Sequence, residues 1–167
     1  NGGEKMRKII LILICMILAT IAVNAAEVCI VAQLDEDSVK GDCVNIDSNT
    51  DGYTVLEESN LDFTWSDPGT YGRALCKIEG TGDEVSGTNC QWGSEYWGFY
   101  LMMNDEWSYL PVGFDAAGGC WNRDLSSFGG HYCAKDDDII GFRYGEFGTL
   151  PDMLRLDEVK IKIDNDK

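Results

Sequence analysis

The most informative stretch of this 167-residue chain is YWGFYLMMNDEWSYL, residues 96–110. Its first part, Tyr96 to Met103, is apolar on both of its alternating faces, which predicts a strand covered on both sides. Asn104-Asp105 is a turn signal, and Trp107 to Leu110 follows it as a second apolar run. The stretch therefore predicts a β-hairpin.

Weaker strand signals flank this hairpin. They are Val28 to Leu34, Phe63 to Trp65, Arg73 to Glu79 and Ile139 to Tyr144. Residues 35–51 form a polar, acidic stretch, and residues 80–93 a loop rich in glycine and acidic residues. Thr54 to Glu57 has the form of a capping box, which predicts a short helix to about Asn60. The pattern predicts an α+β domain with one sheet and one short helical cover.

The amino terminus has the three parts of a secretory signal peptide. Arg7-Lys8 follows Met6, an apolar run continues to Val23, and Ala25-Ala26 supplies small residues. The apolar run is too short to span a bilayer comfortably, so we expect cleavage after Ala25 or Ala26. An uncleaved anchor is one alternative, and lipidation of Cys15 is another.

The first five residues precede a plausible initiator at Met6. Asn1 to Lys5 can be encoded by a purine-rich stretch that contains a ribosome-binding sequence. We interpret residues 1–5 as translated upstream sequence of a prokaryotic gene and residues 6–26 as the signal peptide. The first domain then begins at residue 27.

The mature part is strongly acidic. Removal of residues 1–26 leaves 141 residues, enough for one domain, with 10 Lys and Arg against 28 Asp and Glu. A net charge near −18 repels nucleic acid and anionic membrane surfaces. The composition predicts a secreted or cell-surface protein with no nucleic-acid partner and no membrane span after signal cleavage. Solubility explains the charge, and cation binding is the sharper alternative.

Six cysteines remain after the signal peptide, an even number that predicts a disulfide framework in an exported chain. They are Cys29, Cys43, Cys76, Cys90, Cys120 and Cys133. Six thiols allow 15 connectivities. The similar spacing within 29/43, 76/90 and 120/133 suggests three sequential pairs, each of which would close one loop. A zinc site is the weaker alternative, because there is no Cys-x-x-Cys pair and His131 is the only histidine.

The carboxyl-terminal residues 148–167 are separate from the domain. Leu156 to Asp164 alternates apolar and charged residues, which is typical of a strand. This tail is either an edge strand of the same domain or the opening strand of another one.

The order of these signals resembles a known family. The matching features are Asp51 to Leu56 at a helix start, the Tyr96–Tyr100 strand, Trp107-Ser108-Tyr109, Gly113, and the acidic turn and strand from Asp136 to Tyr144. Together they resemble the transcobalamin-like carboxy-terminal domain family over residues 27–147. The most specific features are the tyrosine–tryptophan strand and the acidic turn before the last strand.

The resemblance implies a β-grasp-type module of secreted and surface proteins. In vertebrate cobalamin carriers the related module closes over a corrinoid, so a corrinoid is the ligand that the resemblance implies. Two features depart from the family. The large α-helical domain of those carriers has no counterpart here, and an insertion from Gly118 to Cys133 lengthens the link before the last strand.

The family's aromatic strand and hairpin correspond to Tyr96, Trp97, Trp107 and Tyr109, our candidate ligand-binding residues. An indole can present a flat apolar face to a ring system or a sugar. The alternative is that these side chains are core, because aromatic residues bury large areas.

A second motif predicts a possible calcium site. Residues 47–58 match the calcium-loop pattern D-x-[DN]-x-[DN]-G-x5-E in full. In this interpretation the side chains of Asp47, Asn49, Asp51 and Glu58 and the carbonyl of Tyr53 supply the oxygens. The alternative is an acidic loop that caps the following helix.

Three functions remain open on these residues. The first is a non-catalytic binding module for a small-molecule or protein ligand outside the cell, with a corrinoid as the ligand that the resemblance implies. The second is a structural or adhesive surface domain of a larger exported protein, which the calcium loop would stabilise. The third is an enzyme with a carboxylate pair, but no pair stands out and no nucleophile motif accompanies His131. The sequence favours the first.

Overall fold

The computed structural model describes residues 25–67, 72–91, 93–110, 112–115, 118–127, 129–146 and 148–151. In chain order the elements are β1 (Ala25–Gln33), β2 (Val39–Asp47), α1 (Gly52–Glu57), β3 (Phe63–Trp65), β4 (Leu75–Ile78), β5 (Thr81–Gly82), β6 (Val85–Ser86), β7 (Asn89–Cys90), β8 (Tyr96–Met103), β9 (Glu106–Tyr109) and β10 (Asp138–Gly145). The domain is mostly β with one short helix, consistent with the predicted α+β class.

A five-stranded mixed sheet organises the domain, in the order β2-β1-β10-β8-β9. The first and last strands, β1 and β10, run parallel at its centre, and the other neighbours are antiparallel. A parallel pair requires a long crossover, and here the crossover contains α1 and the small strands β3 to β7.

One face of the sheet carries the main core. Phe99 of β8 stacks on Phe142 of β10, with ring centroids 5.3 Å apart, and Phe114 packs 4.5 Å from Phe99. The helix covers this face with Val55 and Leu56, which are fully buried. We call this side of the sheet the helix face.

The opposite face is also covered. Its cluster of buried residues consists of Cys29, Val31, Tyr100, Trp107 and Ile139. Residues from Trp97 to Leu101 are buried on both alternating sides of β8. The prediction of a strand covered on both sides is therefore confirmed.

The β8–β9 hairpin forms where the sequence predicted it, with Glu106 rather than Trp107 as the first residue of β9. The turn residues Asn104 and Asp105 have φ values of 54° and 63°. Positive φ at both central residues characterises a type I′ turn, whose twist matches that of the flanking strands. Asn and Asp tolerate this left-handed conformation.

Three disulfides join sequential cysteines, as the spacing suggested. Cys29 bonds Cys43, Cys76 bonds Cys90, and Cys120 bonds Cys133. Cys29 and Cys43 are direct neighbours on β1 and β2. Disulfides persist in oxidising compartments, so these bonds are consistent with an extracytoplasmic location.

Residues 35–51, described from the sequence only as a polar, acidic stretch, contain the strand β2. The strand was hidden by Asp42, which occupies a position on the helix face and is buried. Its carboxylate accepts hydrogen bonds from the backbone and side-chain amides of Asn60, at 2.9 and 2.8 Å. Asp42, paired with Asn60, therefore takes a buried position of β2 at which alternation of apolar and polar residues would place an apolar side chain.

The helix also starts earlier than predicted. Its N-cap is Asp51, not Thr54, because the Asp51 carboxylate accepts a 2.9 Å hydrogen bond from the Thr54 amide. The helix ends at Glu57 instead of near Asn60.

Residues 80–93 are more ordered than a loop. They contain β5, which pairs with β4, and the two-stranded ribbon of β6 and β7. Each of these strands has only two residues, too short to show an alternating pattern.

Several predictions concern residues outside the described part of the chain. These are the upstream residues 1–5, the signal peptide up to residue 24, and the strand from Leu156 to Asp164. The last two residues of the predicted signal, Ala25 and Ala26, are the first two residues of β1. Within the described ranges no helix is long and apolar enough to cross a membrane.

Candidate functional site

Strand alternation separates the four aromatic residues that the sequence singled out. Trp97 shares the helix face with Phe99 and Leu101. Trp107 lies opposite Met102 in the hairpin and belongs to the cluster on the other face. The two indoles therefore lie on opposite sides of the sheet and do not line one pocket.

Tyr96 and Tyr109 lie on the same side as Trp107, next to Tyr100. The Tyr100 hydroxyl donates a 2.7 Å hydrogen bond to the Thr149 carbonyl. Burial, followed by the neighbouring Tyr109, raises the pKa of Tyr96. Tyr109 is 45% exposed, whereas Trp107 is 8% exposed. On this face Tyr109 is accessible to a partner, and Trp107 is part of the packing.

Trp97 has the most unusual environment of the four. Its ring lies 5.3 Å from that of Tyr144, its neighbour on β10, at an angle of 50°. Its indole Nε1 is buried and has no hydrogen-bond partner. Most buried polar groups are paired, so an unpaired indole N–H requires an explanation.

A second unpaired atom lies in the same region. Asp83 is 7% exposed, and its Oδ2 is buried without a partner. The other carboxylate oxygen, Oδ1, accepts a 3.4 Å contact from the Tyr144 hydroxyl. Burial, followed by the Asp83 and Glu95 charges, raises the pKa of Tyr144. We call Asp83, Trp97 and Tyr144 together the Asp83–Trp97 site.

The short strand β5 allows this arrangement because Gly82 has no side chain. A Cβ at Gly82 would lie 2.6 Å from the Trp97 Nε1 and 2.2 Å from the Cys76 carbonyl. The φ of Gly82 is also 125°, a conformation that favours glycine. Glycine therefore lets the backbone that carries Asp83 pass close to the indole.

The chemistry of the site follows from its two unpaired atoms. The indole Nε1 can only donate a hydrogen bond, and the Asp83 carboxylate can only accept one. Each unsatisfied buried group costs about 1–3 kcal/mol. A hydroxyl, a primary amide or a water offers both an acceptor and a donor, so each could recover this cost.

Among the residues of this site, the sequence analysis singled out Trp97 but not Asp83 or Tyr144. Tyr144 is the second-last residue of β10, and its pairing with Trp97 depends on the sheet order. Asp83 lies in a segment with many acidic residues, where no spacing distinguishes it. Only the dipeptide Gly82-Asp83 carried a signal, since glycine can mark a close backbone approach.

In the structure the residues of the predicted calcium loop make other contacts. Both oxygens of the Asp51 carboxylate are bonded to Thr54, to its amide at 2.9 Å and its hydroxyl at 3.0 Å. The helix occupies motif positions from Gly52 onward, where a calcium loop stays irregular. Asp47, Asp51 and Glu58 do not form a three-carboxylate group in the described residues. Asp51 caps the helix in this structure, and calcium binding by the loop stays a prediction.

The acidic turn from Asp136 to Asp138 also has a structural role. Asp138 forms an ion pair with Arg123 at 2.6 Å and accepts a 2.7 Å hydrogen bond from the Tyr132 hydroxyl. The Lys135 amide donates to the same carboxylate at 2.9 Å. These partners occupy the carboxylate and tie the insertion before β10 to the sheet.

One group of potential metal-ligating side chains does come together in the described residues. Cys120, His131 and Cys133 place their ligand atoms within 4.8 Å of one another. In the sequence a zinc site was only the weaker alternative, since no Cys-x-x-Cys pair is present. The proximity of these three residues depends on the fold of the insertion.

The chain matches no protein-family model and no curated protein. The functional assignment therefore depends on the fold and on the geometry of these sites.

Proposed function

We propose that this chain is an extracytoplasmic, non-catalytic module that binds a small soluble ligand at the Asp83–Trp97 site. The observation that carries the proposal is the pair of buried, unpaired atoms, Trp97 Nε1 and Asp83 Oδ2, on side chains that both contact Tyr144. A ligand that reaches this site could accept a hydrogen bond from the indole N–H and donate one to the carboxylate.

The sheet supports the proposed family. When the strands of the large sheet are numbered by themselves, their order is 2-1-5-3-4, with the first and last strands parallel. This is the order expected of a β-grasp module. It agrees with the resemblance to transcobalamin-like carboxy-terminal domains, which rests on the β8–β9 hairpin and the turn into β10.

A corrinoid fits the chemistry of the site. The rim of the corrin ring carries primary amides, each with a carbonyl acceptor and an amino donor. The indole N–H of Trp97 would donate to the amide oxygen, and Asp83 would accept from its nitrogen. The Trp97 and Tyr144 rings supply apolar surface beside these polar groups, the usual composition of a ligand site.

A structural surface domain is the second candidate. It is favoured by the three disulfides and by the second face of the sheet, where Trp107 packs closely over Gly141. A filled, cross-linked sheet needs no ligand to be stable.

Calorimetric titration with a corrinoid and with simple sugars tests the first candidate. We expect saturable binding that weakens about tenfold in Trp97→Phe, since a hydrogen bond contributes roughly 1 kcal/mol or more. Asp83→Asn should weaken binding similarly. The matched control is Trp107→Phe, the same change on the opposite face, which should leave binding unchanged.

Two results would contradict the proposal. One is the absence of heat with every small ligand, which would favour the structural surface domain. The other is binding that weakens equally in Trp107→Phe and Trp97→Phe, which would place the ligand elsewhere.

A further inference from the structure

We propose that Cys120, His131 and Cys133 bind a divalent metal ion of the zinc type when the disulfide between the two cysteines is reduced. The two sulfurs and one imidazole nitrogen lie within 4.8 Å of one another. Thiolate and imidazole are the preferred ligands of zinc, and two thiolates on a tetrahedral zinc lie roughly 3.8 Å apart. Small movements would therefore convert the group into a metal site.

The backbone holds the three residues in place without the disulfide. The His131 amide donates to the Gly119 carbonyl at 3.1 Å, and the Trp121 amide donates to the His131 carbonyl at 2.8 Å. These two bonds join the segment that carries Cys120 to the segment that carries His131. The Ala134 amide, next to Cys133, donates to the Thr50 carbonyl at 2.8 Å.

Side chains hold the same insertion against the sheet. The Arg123 guanidinium donates to the Cys133 carbonyl at 2.8 Å and pairs with Asp138 at 2.6 Å. Tyr132, between His131 and Cys133, is fully buried. Because these contacts involve neither sulfur, we expect the geometry to persist after reduction.

Of the three disulfides, Cys120–Cys133 is the most accessible to a reductant, because Cys120 is exposed. Cys43 is half-buried, and the other four bonded cysteines are buried. Thiol–disulfide exchange requires that the attacking thiolate reach a sulfur. A reductant should therefore open Cys120–Cys133 before the other two bonds.

The reduction is a two-electron exchange with an external dithiol. The S–S bond of Cys120 and Cys133 breaks and two thiols form, while the dithiol loses two electrons and two protons and becomes a disulfide. Metal binding then displaces the thiol protons to solvent. Two thiolates and one imidazole leave a fourth coordination position for water.

Two measurements test the proposal on the purified protein, with Cys15→Ser in the full chain so that uncleaved signal peptide adds no seventh thiol. Limited reduction followed by alkylation and peptide mapping should label Cys120 and Cys133 first. Co²⁺, used as a spectroscopic probe for zinc, should then give a thiolate charge-transfer band only in the reduced protein. We expect His131→Ala to weaken Co²⁺ binding at least tenfold and Cys133→Ser to remove the band.

Circular dichroism of the oxidised His131→Ala protein checks its fold, and His131→Asn serves if the alanine variant is unfolded. The proposal is overturned if Cys29–Cys43 or Cys76–Cys90 opens first, or if the reduced protein gives no band. A band of unchanged affinity in a folded His131 variant would overturn it too.

Discussion

Glycines on the sheet place individual aromatic side chains. The Trp107 indole lies over Gly141, and the Tyr100 ring lies over Gly98, where an added Cβ would come within 2.6 Å of each ring. Both rings occupy the space that a neighbouring side chain would otherwise fill. The glycines thus allow these two large rings to pack closely against the face of the sheet opposite the helix.

The first prediction concerns Gly141. Gly141→Ala should lower the free energy of unfolding by about 1–3 kcal/mol, because the new methyl group overlaps the Trp107 ring. Urea denaturation followed by tryptophan fluorescence measures it. Gly129→Ala is the matched control, with no atom within 4 Å of the added Cβ, and it should change stability by less than about 0.5 kcal/mol. Equal effects of the two substitutions would argue against close packing on this face.

The second prediction separates the helix cap from a calcium loop. Asp51→Ala should cost about 1 kcal/mol, because the Thr54 amide and hydroxyl lose their acceptor. Thermal unfolding with calcium and with a chelator should give the same loss. Glu58→Ala, at the last position of the calcium motif, should have little effect in either condition. A loss in both variants that grows when calcium is added would instead support the calcium loop.

At the scale of elements, the insertion before β10 is attached through one carboxylate. Asp138 begins β10, and it receives hydrogen bonds from Arg123, Tyr132 and Lys135. The Arg123 guanidinium also lies 5.3 Å from the centre of the Tyr132 ring. This network positions the group formed by Cys120, His131 and Cys133.

The third prediction tests that attachment. Burial, and then the Asp138 carboxylate, raises the pKa of Tyr132 well above its ordinary value. A raised tyrosine pKa stabilises the fold below the unfolded value of about 10, and this contribution is lost as the pH rises above it. Tyr132→Phe should lose about 1.5–3 kcal/mol at pH 7, because a charged partner loses its donor.

Urea denaturation between pH 7 and 11 measures both effects. Above pH 10 the stability of Tyr132→Phe should fall less steeply than that of the parent protein. Val55→Ala is the control: it removes buried apolar volume and no titratable group, so its profile should run parallel to that of the parent. Parallel profiles for the parent and Tyr132→Phe would disprove the role of this hydroxyl.

The elements also show which local patterns can be predicted. The hairpin of β8 and β9 could be predicted almost to the residue, because its apolar runs and its Asn-Asp turn specify the same local structure. Strand β2 could not, because Asp42 on the helix face depends on Asn60, 18 residues away. A buried carboxylate looks like a loop residue until its partner is known.

At the scale of the whole molecule, charge opposes the fold. The chain carries 29 acidic against 13 basic residues. The described ion pairs, such as Arg73 with Asp115, neutralise only a few of these acids. Uncompensated like charges repel one another more strongly in the compact state than in the unfolded chain.

The fourth prediction follows from this repulsion. Raising NaCl from about 10 mM to about 1 M shortens the screening length from roughly 30 Å to 3 Å. The midpoint of thermal unfolding should therefore rise with salt, and KCl should act like NaCl, since screening depends on ionic strength. A midpoint that falls or stays constant would show that the acidic residues do not destabilise the fold.

The sequence by itself predicted the class of this domain, the β8–β9 hairpin and the last strand, and its cysteine spacing suggested the three sequential disulfides without fixing them. Each depends on local patterns: alternation, turn residues and short spacings between cysteines. Only the tertiary structure placed Trp97 and Trp107 on opposite faces, brought Asp83 to Tyr144 and set His131 beside Cys120 and Cys133. These relations join residues distant in the chain, and the order of strands in the sheet decides which of them meet.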